Sequence, residues 1–215
     1  MTRRIGVIGD VHTNDDVLSW ALSALRNEGV ELILATGDIA DGPNPASAVD
    51  RCCQLLQAAG ALTVQGNHDR WLLDAELRDL PDATFLDEVG AEARAFLRQL
   101  PAALELDTPL GKLLFGHGLG GDDMATLYPH DHGPALDDNA VLQELLREGR
   151  YTLIVSGHTH RRMVRSIDGV CLINAGALSR KREPCCLVLD FEARQARFLD
   201  YAEGGKTLPG PVLAL

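Results

Sequence analysis

Five short segments carry side chains that bind metal ions. They are Gly9-Asp10-Val11-His12, Gly37-Asp38-Ile39-Ala40-Asp41-Gly42, Gly66-Asn67-His68-Asp69, Gly116-His117-Gly118 and Gly157-His158-Thr159-His160. Imidazole, carboxylate and amide oxygen are borderline-to-hard donors, suited to Mn, Fe, Ni or Zn. In an extended segment, side chains at i and i+2 point the same way. The spacing therefore lets Asp10 and His12 grip one ion together and lets His158 and His160 face one site. The glycine beside each of these residues permits sharp turns and close approach of backbone to an ion. Any one of these motifs is an ordinary turn signal; five in succession, each at the end of an apolar run, form a joint signal.

The elements that must position them follow from periodicity. Arg4 to Ile8, Glu31 to Ala35 and Leu62 to Gln65 read as strands, separated by amphipathic helices over Asp15 to Glu28 and Pro45 to Ala59. Asn44 reads as the cap of the second helix, with Pro45 at its first position. This strand–helix order implies a parallel sheet with right-handed crossovers. Arg70 to Leu80, Val89 to Leu100 and Asp137 to Glu148 read as further helices. Leu104 to Asp107, Lys112 to Gly116, Thr152 to Ser156, Met163 to Ile167, Val170 to Asn174, Cys185 to Asp190 and Ala196 to Tyr201 read as strands, with a hairpin turn at Asp168-Gly169. The Gly- and Pro-containing tail from Glu203 reads as irregular. Together they predict an α/β fold of two packed mixed sheets with helices outside, as one domain over residues 1–215.

Composition narrows the partners. The 215 residues are 46% apolar, enough for a sizeable core, and the formal net charge is −11. That charge argues against nonspecific binding to nucleic acid or to an anionic membrane. No stretch approaches the ~20 apolar residues that span a bilayer. The first residues do not form a signal peptide, because their apolar run is only a strand long and ends in Asp10. Five cysteines, Cys52, Cys53, Cys171, Cys185 and Cys186, have an odd count and no C-x-x-C spacing. They read as reduced packing residues, and the expected location is cytoplasmic.

The ordered set Asp-x-His, Gly-Asp-x-x-Asp-Gly, Gly-Asn-His-Asp, Gly-His and Gly-His-x-His resembles the calcineurin-like metallophosphoesterase superfamily, and its small bacterial branch in particular. Ile173-Asn174-Ala175-Gly176-Ala177 is similar to the Asn-Pro-Gly-Ser segment of those members. The resemblance implies an αββα sandwich and two divalent transition-metal ions. One ion would be held by Asp10, His12 and His160, the other by Asn67, His117 and His158, with Asp38 bridging. It also implies His68 as the group that contacts the phosphate and protonates the leaving group, with Asp41 orienting it. The reaction implied is in-line attack of a metal-bridging hydroxide on a phosphodiester or small phosphomonoester, a nucleotide among the candidate substrates. Two divalent ions less two carboxylates and a hydroxide leave the site positive inside an acidic protein.

Two positions depart from the Ser/Thr protein phosphatase branch. That branch places a phosphate-binding arginine where this chain has Gly42, and a glutamate where it has Asp69. Phosphoprotein phosphatase and a catalytically weak binding scaffold of the same fold are the alternative functions. Residues 118–139, with Tyr128, His130, Asp131 and His132, form a long aperiodic segment directly after His117, expected to be a substrate-facing loop or lid or else a solvated loop. Arg161, Arg162, Arg180, Lys181 and Arg182 are candidates for distal phosphates, though most such cations sit on a solvated surface. Trp20 and Trp71 read as packing residues.

Overall fold

The computed structural model describes residues 2–179 and 183–215. Among them the strands form two sheets, of six and five strands. In the first, β1 (Arg4–Ile8), β2 (Leu32–Ala35) and β3 (Leu62–Thr63) run parallel in that order. Helix α1 (Asp15–Asn27) and helix α2 (Ser47–Ala59) make the crossovers, as the alternating pattern predicts. The second sheet has the order β4 (Ala103–Thr108), β5 (Gly111–Gly116), β6 (Leu153–Ser156), β8 (Val170–Asn174), β7 (Met163–Ile167). On the far side of β1 lie β9 (Cys185–Asp190) and β10 (Gln195–Ala202), both antiparallel to their neighbours.

Alternation along the strands builds the layers. Ile5 and Val7 of β1 pack with Phe115 of β5, Leu153 and Val155 of β6 and Ile173 of β8 in the core between the sheets. Ile8 turns the other way, onto Val17, Leu18 and Leu25 of α1. Ile154 of β6 likewise turns outward, onto Leu142 of the helix that precedes it. A strand whose two faces are both apolar must lie between two layers, so the sandwich is αββα.

Helix and strand ends differ from the sequence reading at several points. Helix α2 starts at Ser47, and Asn44 does not cap it. Asn44 instead donates its backbone N–H to Thr13 Oγ1 (3.0 Å) and its side-chain amide to the Thr13 carbonyl (2.8 Å), tying the segment before α2 to the loop after β1. Helix α3 covers Asn67–Asp74 rather than Arg70 to Leu80. Its start is drawn upstream because Asp69 accepts the Gly66 N–H (3.0 Å), and it stops where Ala75 turns left-handed. Helix α4 is Ala91–Gln99. The helix expected from Asp137 divides into a short α5 (Pro134–Asp137) and α6 (Ala140–Glu148), because Asn139 accepts the Leu142 N–H and caps the second piece. The tail is not irregular: Lys206–Ala214 forms β11, antiparallel to β10 at the sheet edge. Pro209 and Pro211 are tolerated there because an edge strand has one unpaired side. No helix among the described residues is long and apolar enough to cross a membrane.

Candidate metal centre

The nine candidate residues leave the C-terminal ends of β1, β2, β5 and β6 and the N-terminus of α3, where the two sheets meet. Five of them, His12, Asp38, Asp41, His158 and His160, adopt left-handed backbone with φ between 45° and 63°. Non-glycine residues in this region carry strain, which persists where the surroundings over-determine them. Here the supports are visible. The Asp38 carbonyl accepts both the Val11 N–H (3.1 Å) and the His12 N–H (2.7 Å), locking the loops after β1 and β2 together. Two glycines admit carboxylates that a methyl group would expel: a Cβ on Gly66 would fall 2.2 Å from Asp38 Oδ1, and one on Gly157 would fall 2.3 Å from Asp10 Oδ1.

The side chains gather into two groups that could each hold a metal ion: His12, Asp38 and His160, and Asp38, His117 and His158. Asp38 belongs to both. His158 and His160 go to different groups, against the i/i+2 expectation, because their segment is a left-handed turn and not a strand. Asn67 joins the second group, its Oδ1 lying 2.8 Å from His117 Nε2. Asp10 stands beside the first, its Oδ2 lying 3.2 Å from His160 Nε2. That oxygen is buried and has no hydrogen-bond partner.

The donor set fits divalent ions. His12 Nδ1 lies 2.6 Å from the Asp41 carbonyl, and His117 Nδ1 lies 2.6 Å from the Thr36 carbonyl. A carbonyl only accepts, so both Nδ1 atoms carry a proton and each ring turns Nε2 inward, where the neutral ring offers a lone pair. His12 Nε2 then faces His160 Nε2 at 3.0 Å, and His117 Nε2 faces Asp38 Oδ2 at 3.3 Å. Converging lone pairs at these distances repel unless a cation or a proton sits among them. Charge tells the same story. Burial opposes a charge on His117, but Asp38, then Asp10 and the Thr36 carbonyl, outweigh it and lift the imidazole to about 10. Burial also resists ionisation of Asp38, yet His117, His12 and His68 hold its carboxyl far below the usual carboxylate range. Burial presses His158 and His160 below the ordinary histidine value, leaving neutral donors. The buried carboxylates draw positive charge to His117, while burial keeps it off His158 and His160.

His68 stands apart from both groups. Its Nδ1 lies 2.9 Å from Asp41 Oδ2, and its ring packs on Trp71 at 4.7 Å and on His12 at 4.9 Å. Burial opposes protonation, but the hydrogen bond that Asp41 accepts and the charge of Asp38 raise the imidazole above its ordinary value. A cavity of about 550 Å³ opens over His12, His68 and His160 and is also lined by Leu80, Pro81 and Asp82. A larger cavity of about 820 Å³ beside it shares Pro43 and Ser179 but holds none of the nine candidates.

Several residues that organise the site were given no role there from sequence. Asp69, noted only as a departure, is a staple: Oδ1 accepts Ile39 N–H (2.8 Å) and Ala40 N–H (3.0 Å), and Oδ2 accepts Gly66 N–H. Burial and the nearby Asp38 charge raise its carboxyl to about 6. Thr36 donates its hydroxyl to Asp10 Oδ1 (2.9 Å). Asn174 donates to the Gly157 carbonyl and to Thr159 Oγ1, shaping the His158–His160 turn. Arg78 grips Asp41 with both terminal nitrogens at 2.8 Å. No local spacing signals Arg78, since it lies thirty-seven residues from its partner. Gly42 has no room for a side chain: a Cβ there would fall 2.1 Å from the His12 carbonyl oxygen.

The other candidates are placed as follows. Residues 118–139 begin directly after His117, and Asp123 is held by Arg70 at 2.8 Å and acts on His158 through its charge. The Tyr128 ring is exposed beside His130, and its backbone carbonyl accepts from Arg165 of β7. Arg162 is bound to Asp200 (2.7 Å) and lies over the Phe198 ring, and Arg161 is exposed. Arg180, Lys181 and Arg182 lie outside the described residues. Trp20 packs on Tyr201 and donates to Thr207 Oγ1, so it serves the core as expected.

An αββα sandwich presenting clustered His and Asp side chains at its strand ends defines the class, a metallophosphoesterase. The chain belongs to the calcineurin-like phosphoesterase superfamily, whose domain model matches residues 4–194. An uncharacterized protein of Methanocaldococcus jannaschii is 28% identical over 187 residues, which cover 81% of this chain and 69% of that protein. A phosphodiesterase of the same organism is 23% identical over 175 residues, covering 80% of this chain and 82% of its own length. Among solved structures, a hypothetical protein from Pyrococcus horikoshii has a TM-score of 0.73 at 16% identity, over 92% of this chain and 87% of its own. A metallophosphoesterase from Sphaerobacter thermophilus has a TM-score of 0.64 at 20% identity, over 93% of this chain and 88% of its own. Both share the fold.

Proposed function

We propose that this protein is a phosphodiesterase that works with two divalent transition-metal ions on a small phosphate ester, a nucleotide among the candidates. The observation that carries the reading is Asp38, one buried carboxylate common to two ligand groups. In this assignment Asp10, His12 and His160 hold one ion, Asn67, His117 and His158 hold the other, and Asp38 serves both. Bound there, the ions would activate water and neutralise charge on the phosphate. The chain's own residues do the rest. The Nδ1 contacts of His12 and His117 with backbone carbonyls keep Nε2 turned to the ions. His68, aligned by Asp41 and facing the cavity, binds the phosphate and delivers a proton to the leaving oxygen. Five unpaired thiols are in keeping with a cytoplasmic setting.

Diester chemistry is preferred over phosphoprotein chemistry for a physical reason. A monoester dianion gains most from a guanidinium at the phosphate, and the packing of Gly42 on His12 denies one at that position. The phosphodiesterase among the relatives supports the same choice. The test compares kcat/KM for bis-nitrophenyl phosphate, nitrophenyl phosphate and a phosphoserine peptide, with the metal content of the same sample measured. Hydrolysis of the diester at least as fast as the monoester, with about two ions per chain, is expected. A preference for the peptide, or activity indifferent to chelators, refutes the proposal.

A further inference from the structure

Between α3 and the short 3-10 turn at Leu86–Glu88, the chain passes beside the cavity without regular structure. Leu77 in this segment is 49% exposed, yet the neighbouring Arg78 side chain is only 13% exposed. Its guanidinium is almost fully used. Nε donates to the Glu76 carbonyl (2.6 Å), Nη1 to Asp41 Oδ1 (2.8 Å) and the Thr84 carbonyl (2.7 Å), and Nη2 to Asp41 Oδ2 (2.8 Å). Asp41 Oδ2 is also the oxygen that faces His68 Nδ1. The Thr84 N–H closes the array on Asp41 Oδ1 at 2.8 Å.

We propose that Arg78 is a positioning residue for ester cleavage, holding the Asp41 carboxylate, the His68 ring and the cavity residues Leu80 to Asp82 in one register. The inference rests on the proposed function and adds to it a residue from outside the five motifs. Two features argue for a role beyond packing. The contact is a planar bidentate fork, which fixes the rotation of the carboxylate as well as its place. Through the shared Oδ2, that rotation sets the direction in which His68 is held. Asp41 itself sits in left-handed backbone, φ 55°, so its placement depends on such outside support. The same guanidinium ties down both ends of the segment that carries Leu80 and Pro81, so the leaving-group side of the cavity and the proton donor are set together.

The experiment uses the full chain, wild type against Arg78→Ala and Arg78→Lys. Metal content, kcat/KM across diesters with leaving groups of rising basicity, and rescue by guanidinium well below denaturing concentration are measured. Arg78→Ala is expected to keep wild-type metal content and to lose about 10²-fold for alkoxide leaving groups, the usual cost of misplacing a reacting group. The loss should be much smaller for nitrophenolate, and guanidinium should recover part of it. Arg78→Lys, which keeps the charge but not the fork, should fall between. A second readout needs no turnover: in a Trp20→Phe background, Trp71 emission reports the adjacent His68 ring in chelator-treated protein. It should change in Arg78→Ala and return with guanidinium. Equal losses across all leaving groups, absence of rescue in both variants, or unchanged Trp71 emission overturns the inference. If Arg78→Ala does not fold, Arg78→Lys decides on the same criteria. A wild type that hydrolyses no ester with any metal removes the proposed function and this inference with it. An active wild type with the flat pattern removes only the inference.

Discussion

Replacing Asp38 by asparagine perturbs the one side chain that both ligand groups share. The substitution is nearly isosteric. The amide oxygen can keep the contact with the His68 N–H, which lies 2.9 Å from Oδ1. The new NH₂ replaces Oδ2 opposite His117 Nε2 at 3.3 Å and removes the charge that raises His117. The melting point of each chelator-treated protein sets its own baseline. Metal-loaded protein should differ sharply. A ligand at about a thousand times its Kd stabilises the fold by about 4 kcal/mol per site, which for a domain of this size is a rise of about 8–16 °C in Tm. Wild type should show at least that rise, and Asp38→Asn should lose nearly all of it, because both groups lose their common carboxylate. Scanning fluorimetry with and without metal, together with elemental analysis, makes the measurement. Equal melting shifts and equal occupancy in the two proteins would remove Asp38 from the bridge.

Further outcomes follow from particular contacts. His68→Asn should retain metal and lose ~10²–10⁴ in turnover, the usual worth of a positioned general acid, with a smaller loss on nitrophenyl esters; loss of metal in this variant would make His68 a ligand. Gly42→Ala should cost about 1–3 kcal/mol and lower metal occupancy, because its Cβ must displace the His12 backbone; thermal melts and elemental analysis check it, and a variant equal to wild type in both contradicts the packing. Glu28→Gln tests a pH dependence away from the site. Arg197 hydrogen-bonds Glu28 at 2.6 and 3.0 Å and holds its carboxyl below the usual value. Its contribution is thus present above the unfolded carboxylate pKa and lost as pH falls through the lower, folded one. Denaturation midpoints of the variant and wild type should differ by up to about 1 kcal/mol near neutrality and converge in acid; a difference that grows on acidification refutes the sign.

The sequence by itself determined the layers and which side chains are available to a site. Alternating apolar strands and amphipathic helices are local patterns, and Arg4–Ile8, Met163–Ile167, Val170–Asn174 and Cys185–Asp190 have the bounds read from them. The five glycine-flanked motifs are equally local, and the residues that the structure gathers are theirs. Where short-range rules were applied to long-range problems they failed. Asn44-Pro45 has the form of a helix start, but Thr13 competes for the asparagine and wins. Pro209 and Pro211 argue against a strand, yet an edge beside β10 accepts them.

Only the tertiary structure showed which of these side chains stand together. Side chains two residues apart point together in a strand, but His158 and His160 sit in a left-handed turn fixed by Asn174 and by Gly157 packed on Asp10, so they part toward different groups. The supporting residues were invisible for a related reason. Asp69 acts through backbone N–H groups thirty residues away, and Arg78 meets Asp41 across a loop with no period. Periodicity and spacing encode which face of an element is buried. They carry no record of which distant partner completes a hydrogen-bonding set, because that depends on where the sheets bring the loop ends together.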